Sequence, residues 1–201
     1  MLERKVRAVD TSGPGHESIA SFAARLAART PTPGGGSAAA LVAALACALG
    51  EMVLAYSIDP AKPSEELRAL SERLTVARTR FLDRMDEDAR SYDAVRSARR
   101  ARKEHPDDPA AKATVLAAIR GAAEVPLGTA RDAVELAKQL ASVREHTKAA
   151  LGSDLVTSLA MFRAAAEGAL ANVSINLDDL RAAGEPTAEM EAEVARLRPT
   201  E

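Results

Sequence analysis

Three carboxylates fall within eight residues at Met85–Tyr92, in Met-Asp-Glu-Asp-Ala-Arg-Ser-Tyr. Their spacing decides which of them is placed to act on a substrate. Counting in sevens from Leu67 passes Leu74 and Phe81, reaches Asp88 and continues to Val95. On a helix, Asp88 therefore occupies a position that its neighbours reserve for the core. A carboxyl held against apolar side chains titrates above its usual range and can move a proton near neutral pH. Asp86 points off the stripe, beside Leu82 and Asp93, and Glu87 is displaced too. Asp88 is thus the candidate acid–base group, with Tyr92 one turn on and on the same face. The competing explanation is that Asp88 pairs with a neighbouring helix or stays in solvent.

A second stretch, Thr30–Val53, reads TPTPGGGSAAALVAALACALGEMV. Gly34, Gly35 and Gly36 precede a helix whose first turn Ser37 can cap. Such a start offers amide N–H groups and the positive end of the helix dipole to a carboxylate or phosphate. It lacks the Gly-Lys-Ser/Thr ending of a phosphate-binding loop and follows no strand, so nucleotide hydrolysis is not indicated. A tight turn with close helix packing is the rival explanation of the glycines.

The third stretch, Gly152–Leu177, carries Asp154 in a first turn and Asn172 and Asn176 one turn apart. Asp154 complements a helix dipole in the simplest case. Carboxamides on an otherwise small-residue helix either read the donors and acceptors of a heterocycle or bond across helices. The basic run Arg99–Lys103 reads most simply as the solvated end of a helix, with an anionic ligand tail as the lesser reading.

Composition removes several other classes. Over 201 residues, a net charge of −2 advertises no polyanion partner, and 2 % aromatics without Trp supply no stacking platform for nucleic acid. The single cysteine, Cys47, forms no internal disulfide and suits a reducing compartment. His16, His105 and His146 have no metal-ligand spacing, so no metal is expected. The charged residues 1–10 carry no apolar leader, and the uncharged run Pro31–Gly50 opens on a turn and is cut by Glu51. A buried core helix is expected there rather than a membrane span, and a cytoplasmic protein overall.

These residues need helices to position them. Residues 1–15 read as a flexible arm and 16–201 as one helical domain. Periodicity predicts helices over 17–28, 37–57, 65–103 with Ser64 as N-cap, 109–123, 153–183 and 187–197. Pro126 either kinks its helix or begins another that runs to about Leu151. The alanine-rich second helix is expected at the centre of an all-α bundle of about six or seven helices.

Together the segments ARTPTPGGGSAAALVAALACAL, MDEDARSYDAV, AAEVPL and SDLVTSLAMFRAAAEGALANVSINL resemble the cyclodeaminase/cyclohydrolase family, in the same order over residues 17–182. The resemblance implies an all-helical homodimer that binds tetrahydrofolate derivatives without a metal or further cofactor. It implies that Asp88 is the catalytic carboxylate, and that Pro33, Gly34, Gly35, Gly36, Ser37, Asp154, Asn172 and Asn176 belong to the folate cleft. The reaction implied is hydrolysis of 5,10-methenyltetrahydrofolate to 10-formyltetrahydrofolate, with formiminotetrahydrofolate cyclodeamination as the close alternative. A non-catalytic folate-binding or scaffolding dimer is the more distant one.

Overall fold

The computed structural model describes residues 17–198; the arm expected over 1–15 lies outside them. Six α-helices follow one another: α1 (Ile19–Leu26), α2 (Gly35–Ser57), α3 (Glu65–Glu104), α4 (Pro109–Ser142), α5 (Gly152–Ala182) and α6 (Ala188–Leu197). No strand occurs among the described residues. Local signals explain most of the boundaries. Ser18 accepts from the Ser21 amide at the start of α1, and Ser64 from the Leu67 amide at the start of α3. Asp108 caps α4 just ahead of Pro109, where the missing N–H costs nothing.

Two expectations change. Of the alternatives at Pro126, the start of a new helix is ruled out: α4 runs through it, ends at Ser142 rather than near Leu151, and two short 3₁₀ turns, Arg144–His146 and Ala149–Leu151, fill the remainder up to α5. Packing on both sides of α4 holds the helix together across the missing hydrogen bond. Secondly, α2 begins at Gly35, two residues before Ser37, and is one of four staves rather than an enclosed centre.

The long helices α2 to α5 form a four-helix bundle in which α2 and α4 each lie against both α3 and α5. Pairs such as Ser37 with Asp88 and Thr75 with Glu51 show that α2 and α3 run antiparallel. The core is built from Phe81, Phe162, Leu54, Leu74 and Leu140, among small residues on α2 and α5. At Gly50 a β-carbon would lie 3.1 Å from both Leu74 and Leu140, so its absence lets α3 and α4 close on α2. By length and composition α2 could cross a membrane, yet half of its most apolar window is buried inside the protein. Its outward side carries Leu41, Leu45, Ala48, Met52 and Tyr56 at helical spacing, with Leu45, Ala48 and Tyr56 exposed.

Helix length creates the feature that matters next. With 23 residues against 40 in α3, α2 begins midway along the bundle. Beyond its first residue only α3, α4 and α5 continue, joined by α6 around Ala98, Ile119, Leu177 and Val194. A notch is left between α3 and α5, floored by α4.

Candidate active site

This notch is a cleft of about 320 Å³. The N-terminus of α2 closes one end with Gly34, Gly35 and Gly36. Asp88, Ser91, Tyr92, Val95 and Arg99 line it from α3, Ala122 and Pro126 from α4, and Asn172, Ile175, Asn176 and Asp179 from α5.

Asp88 reaches across from α3 to the start of α2. Its Oδ2 accepts from the Ser37 amide at 2.8 Å and lies 2.8 Å from the Ser37 hydroxyl, which is also 3.1 Å from the Met85 carbonyl. Ser37 is the third residue of α2, so it does not cap the helix; Asp88 supplies the carboxylate that its N-terminus attracts. The anion seat expected at the glycines is thus partly filled by the protein's own acid. The amides of Gly35 and Gly36 remain on the cleft wall.

The glycines have separate tasks. A β-carbon on Gly36 would come within 2.6 Å of the Asp88 carboxyl carbon, an overlap no rotamer of α2 could relieve. One on Gly35 would stand 3.0 Å from Asn172 Nδ2. Removing both lets a helix end slide between the acid on α3 and the carboxamide on α5. The packing and ligand explanations of the triple glycine therefore merge: what the glycines pack against are the polar groups of the cleft.

Burial raises the Asp88 carboxyl above its ordinary value of 3.8, and the Ser37 hydroxyl and amide pull it only part of the way back. No cation pairs with it among the described residues. One turn earlier, Arg84 pairs with Asp132 of α4 at 2.8 Å, over the space left by Gly128, which fixes α3 against α4.

On the opposite wall, Asn172 Nδ2 donates to the Gly168 carbonyl at 2.8 Å, and Asn176 Nδ2 donates to the carbonyls of Asn172 and Ala122 at 3.1 and 3.3 Å. At the outer end Arg99 pairs with Asp179 at 2.6 Å, each about half exposed. A shallower groove of about 330 Å³ continues from there along Tyr92, Val95, Arg96, Arg99, Arg100 and Lys103.

Of the residues singled out in the sequence, Gly34, Gly35, Gly36, Asp88, Tyr92, Asn172 and Asn176 meet at this cleft. Pro33 and Ser37 are buried just behind its wall. Asp154 is not brought there. It lies in the first turn of α5, 18 residues from Asn172, or roughly 27 Å along the axis, where it complements the dipole. Asp179, Ala122 and Pro126 were not expected at the site, and Arg99 only under the lesser reading of its basic run. Arg99 was signalled by its register, since Asp88, Tyr92, Val95 and Arg99 fall at i, i+4, i+7 and i+11. No group of three or more His, Cys, Asp and Glu side chains converges as a metal site among the described residues.

A family model described as formiminotransferase-cyclodeaminase matches residues 18–196. The chain belongs to the formiminotransferase-cyclodeaminase family. Within it, the chain is 31 % identical over 188 residues to a methenyltetrahydrofolate cyclohydrolase of Methylorubrum extorquens, covering 90 % of each protein. It is also 31 % identical over 170 residues to the formimidoyltransferase-cyclodeaminase of Sus scrofa, spanning 82 % of this chain but only 31 % of that longer protein. The crystal structure of formiminotetrahydrofolate cyclodeaminase from Thermotoga maritima superposes with a TM-score of 0.72 at 27 % identity, covering 90 % of this chain and 91 % of that one. The fold is therefore shared with that structure.

Proposed function

We propose that this protein hydrolyses 5,10-methenyltetrahydrofolate to 10-formyltetrahydrofolate, with Asp88 as the proton-transferring group. One observation carries the reading: a half-buried carboxyl with no cationic partner among the described residues, raised in pKa, stands at a cleft between a glycine helix start and two asparagines. In the substrate one carbon bridges N5 and N10 as an amidinium cation. Ionised Asp88 stabilises that cation and takes a proton from the attacking water as the C–O bond forms. The tetrahedral adduct then breaks its C–N5 bond. Asp88 returns its proton to N5, and the hydroxyl proton leaves to solvent as the formyl C=O forms.

The glutamate end of the folate is assigned to Arg99, with a longer anionic tail following Arg96, Arg100 and Lys103 outward. Similarity of sequence over 90 % of both chains to the Methylorubrum extorquens enzyme favours hydrolysis. The second reading, ammonia-releasing cyclisation of formiminotetrahydrofolate, draws on the Thermotoga maritima neighbour and uses the same acid and the same tetrahedral carbon. Loss of methenyltetrahydrofolate absorbance on adding the protein tests the first. Absorbance that instead grows from formiminotetrahydrofolate, with ammonia released, decides for the second.

A homodimer belongs to the same proposal, supported by the outward apolar stripe Leu41, Leu45, Ala48, Met52 and Tyr56 on α2. Sedimentation at micromolar concentration should show about twice the 21.1 kDa chain mass, and a clean monomer refutes it.

A further inference from the structure

A proline in the middle of an unbroken helix is costly relative to alanine, and α4 carries one at Pro126 on the floor of the cleft. Pro126 has no N–H, so the Ala122 carbonyl one turn earlier receives no i+4 amide. That carbonyl is not left bare. Asn176, on the facing helix α5, donates one Nδ2 proton to it at 3.3 Å and the other to the Asn172 carbonyl at 3.1 Å.

Both donors of Asn176 are thereby committed to backbone oxygens, and a carboxamide so held has one polar atom left, its Oδ1 acceptor. Asn172 commits one of its two donors, to the Gly168 carbonyl. The wall formed by α4 and α5 therefore offers an acceptor at Asn176, and one turn outward Arg99 and Asp179 pair with each other. A ligand suited to that wall has N–H donors on the edge of a flat ring.

We propose that Pro126 is a positioning residue: by withholding an amide from Ala122 it turns the Asn176 carboxamide so that Oδ1 accepts an N–H from an aminopyrimidine edge of the ligand. For a tetrahydrofolate that edge is the 2-amino-pyrimidinone of its pterin, and this choice of ligand rests on the function proposed above.

Pro126→Ala restores the missing amide, which competes for the Ala122 carbonyl and frees Asn176. The folded protein should melt no lower than wild type, because the helix gains a hydrogen bond. KM for 5,10-methenyltetrahydrofolate should rise about tenfold, with a much smaller change in kcat, as loss of a ground-state contact requires. Asn176→Ala should do the same. The double variant should be no worse than the weaker single variant, because both remove one interaction. Additive losses, or an unchanged KM in Pro126→Ala, overturn the inference and leave Pro126 as a bend in the helix.

A readout independent of folate is the side-chain amide of Asn176 in a ¹⁵N spectrum of the unliganded protein. The proton donated to Ala122 should exchange slowly in wild type and quickly in Pro126→Ala, while the one donated to Asn172 stays protected; equal exchange of the first in both proteins overturns the inference. Should wild type neither turn over methenyltetrahydrofolate nor bind 5-formyltetrahydrofolate, the proposed function falls, and the Asn176 protons alone decide the role of Pro126.

Discussion

The carboxyl of Asp88 occupies the volume that a β-carbon on Gly36 would fill. The two residues sit on different helices, 52 positions apart, and each is suited to its place because of what the other is. Placing alanine at 36 should therefore act on Asp88. Gly36→Ala is expected to cost about 1–3 kcal/mol of stability, typical of overpacking, and to lower kcat by about 100-fold as the acid is pushed aside. Gly35→Ala crowds Asn172 instead and should raise KM while leaving kcat closer to wild type. Denaturant melts and steady-state kinetics on both variants check this; equal behaviour of the two contradicts it.

Asp88→Asn keeps the shape but removes the exchangeable proton. Turnover should fall on the order of 10²–10⁴-fold, the usual contribution of acid–base catalysis, while helicity by circular dichroism is retained. Asp86→Asn should change turnover by no more than about tenfold, roughly 1.4 kcal/mol of barrier. Comparable losses in both variants would remove Asp88 from its assigned role.

The direction of the Asp88 shift fixes two pH dependences. As a base it must be ionised, so kcat/KM should fall as pH drops through its raised pKa, at a pH above the ordinary 3.8, and Asp88→Asn should lose that limb. For stability the sign is opposite. The folded state binds the Asp88 proton more tightly than the unfolded chain does. The stabilisation from this preference is complete below 3.8 and is lost as pH rises through the folded pKa. Relative to Asp88→Asn, wild type should thus lose stability with rising pH across that window, measured by denaturant melts at several pH values.

Ser37 sets how far the shift goes. Its hydroxyl and amide are the groups that lower the Asp88 pKa against burial. Ser37→Ala removes the hydroxyl and keeps the amide, so the acid limb of the pH–rate profile should move to higher pH. An unmoved or lowered limb would show that the hydroxyl spends its proton on the Met85 carbonyl.

Arg99→Ala should raise KM by about tenfold and reduce the salt dependence of binding, since a half-exposed cation attracts a carboxylate mainly through a screened field. The loss should grow with the number of glutamates on the folate. A kcat effect without a KM effect would assign Arg99 to the chemistry instead.

The sequence showed much of this because helical period and core position coincide. Counting from Leu67 through Phe81 places Asp88 correctly, since α3 is uninterrupted over 40 residues. Steps of four, seven and eleven from Asp88 lead to Tyr92, Val95 and Arg99 at the outer part of the cleft, but a run of cations at a helix end is adequately explained by solvent. Asp154 misled for a related reason: a carboxylate in a first turn has a local purpose, and motif order does not reveal that α5 carries it to the far end. Pro126 was legible as a kink or as a new start, and the sequence did not choose between them, because what holds α4 together lies on the faces of other helices.

One consequence of the short second helix concerns what the ligand replaces. Where α2 stops, Val95, Tyr92 and Ile175 are left facing the space its next turns would have covered, and Ile175 is 64 % exposed. A bound molecule completes the fourth stave of the bundle there, as a keystone does in an unfinished arch. The outer halves of α3 and α5 should therefore be the parts that tighten on binding, with amide exchange slowing most between Ser91 and Arg99 and between Asn172 and Asp179.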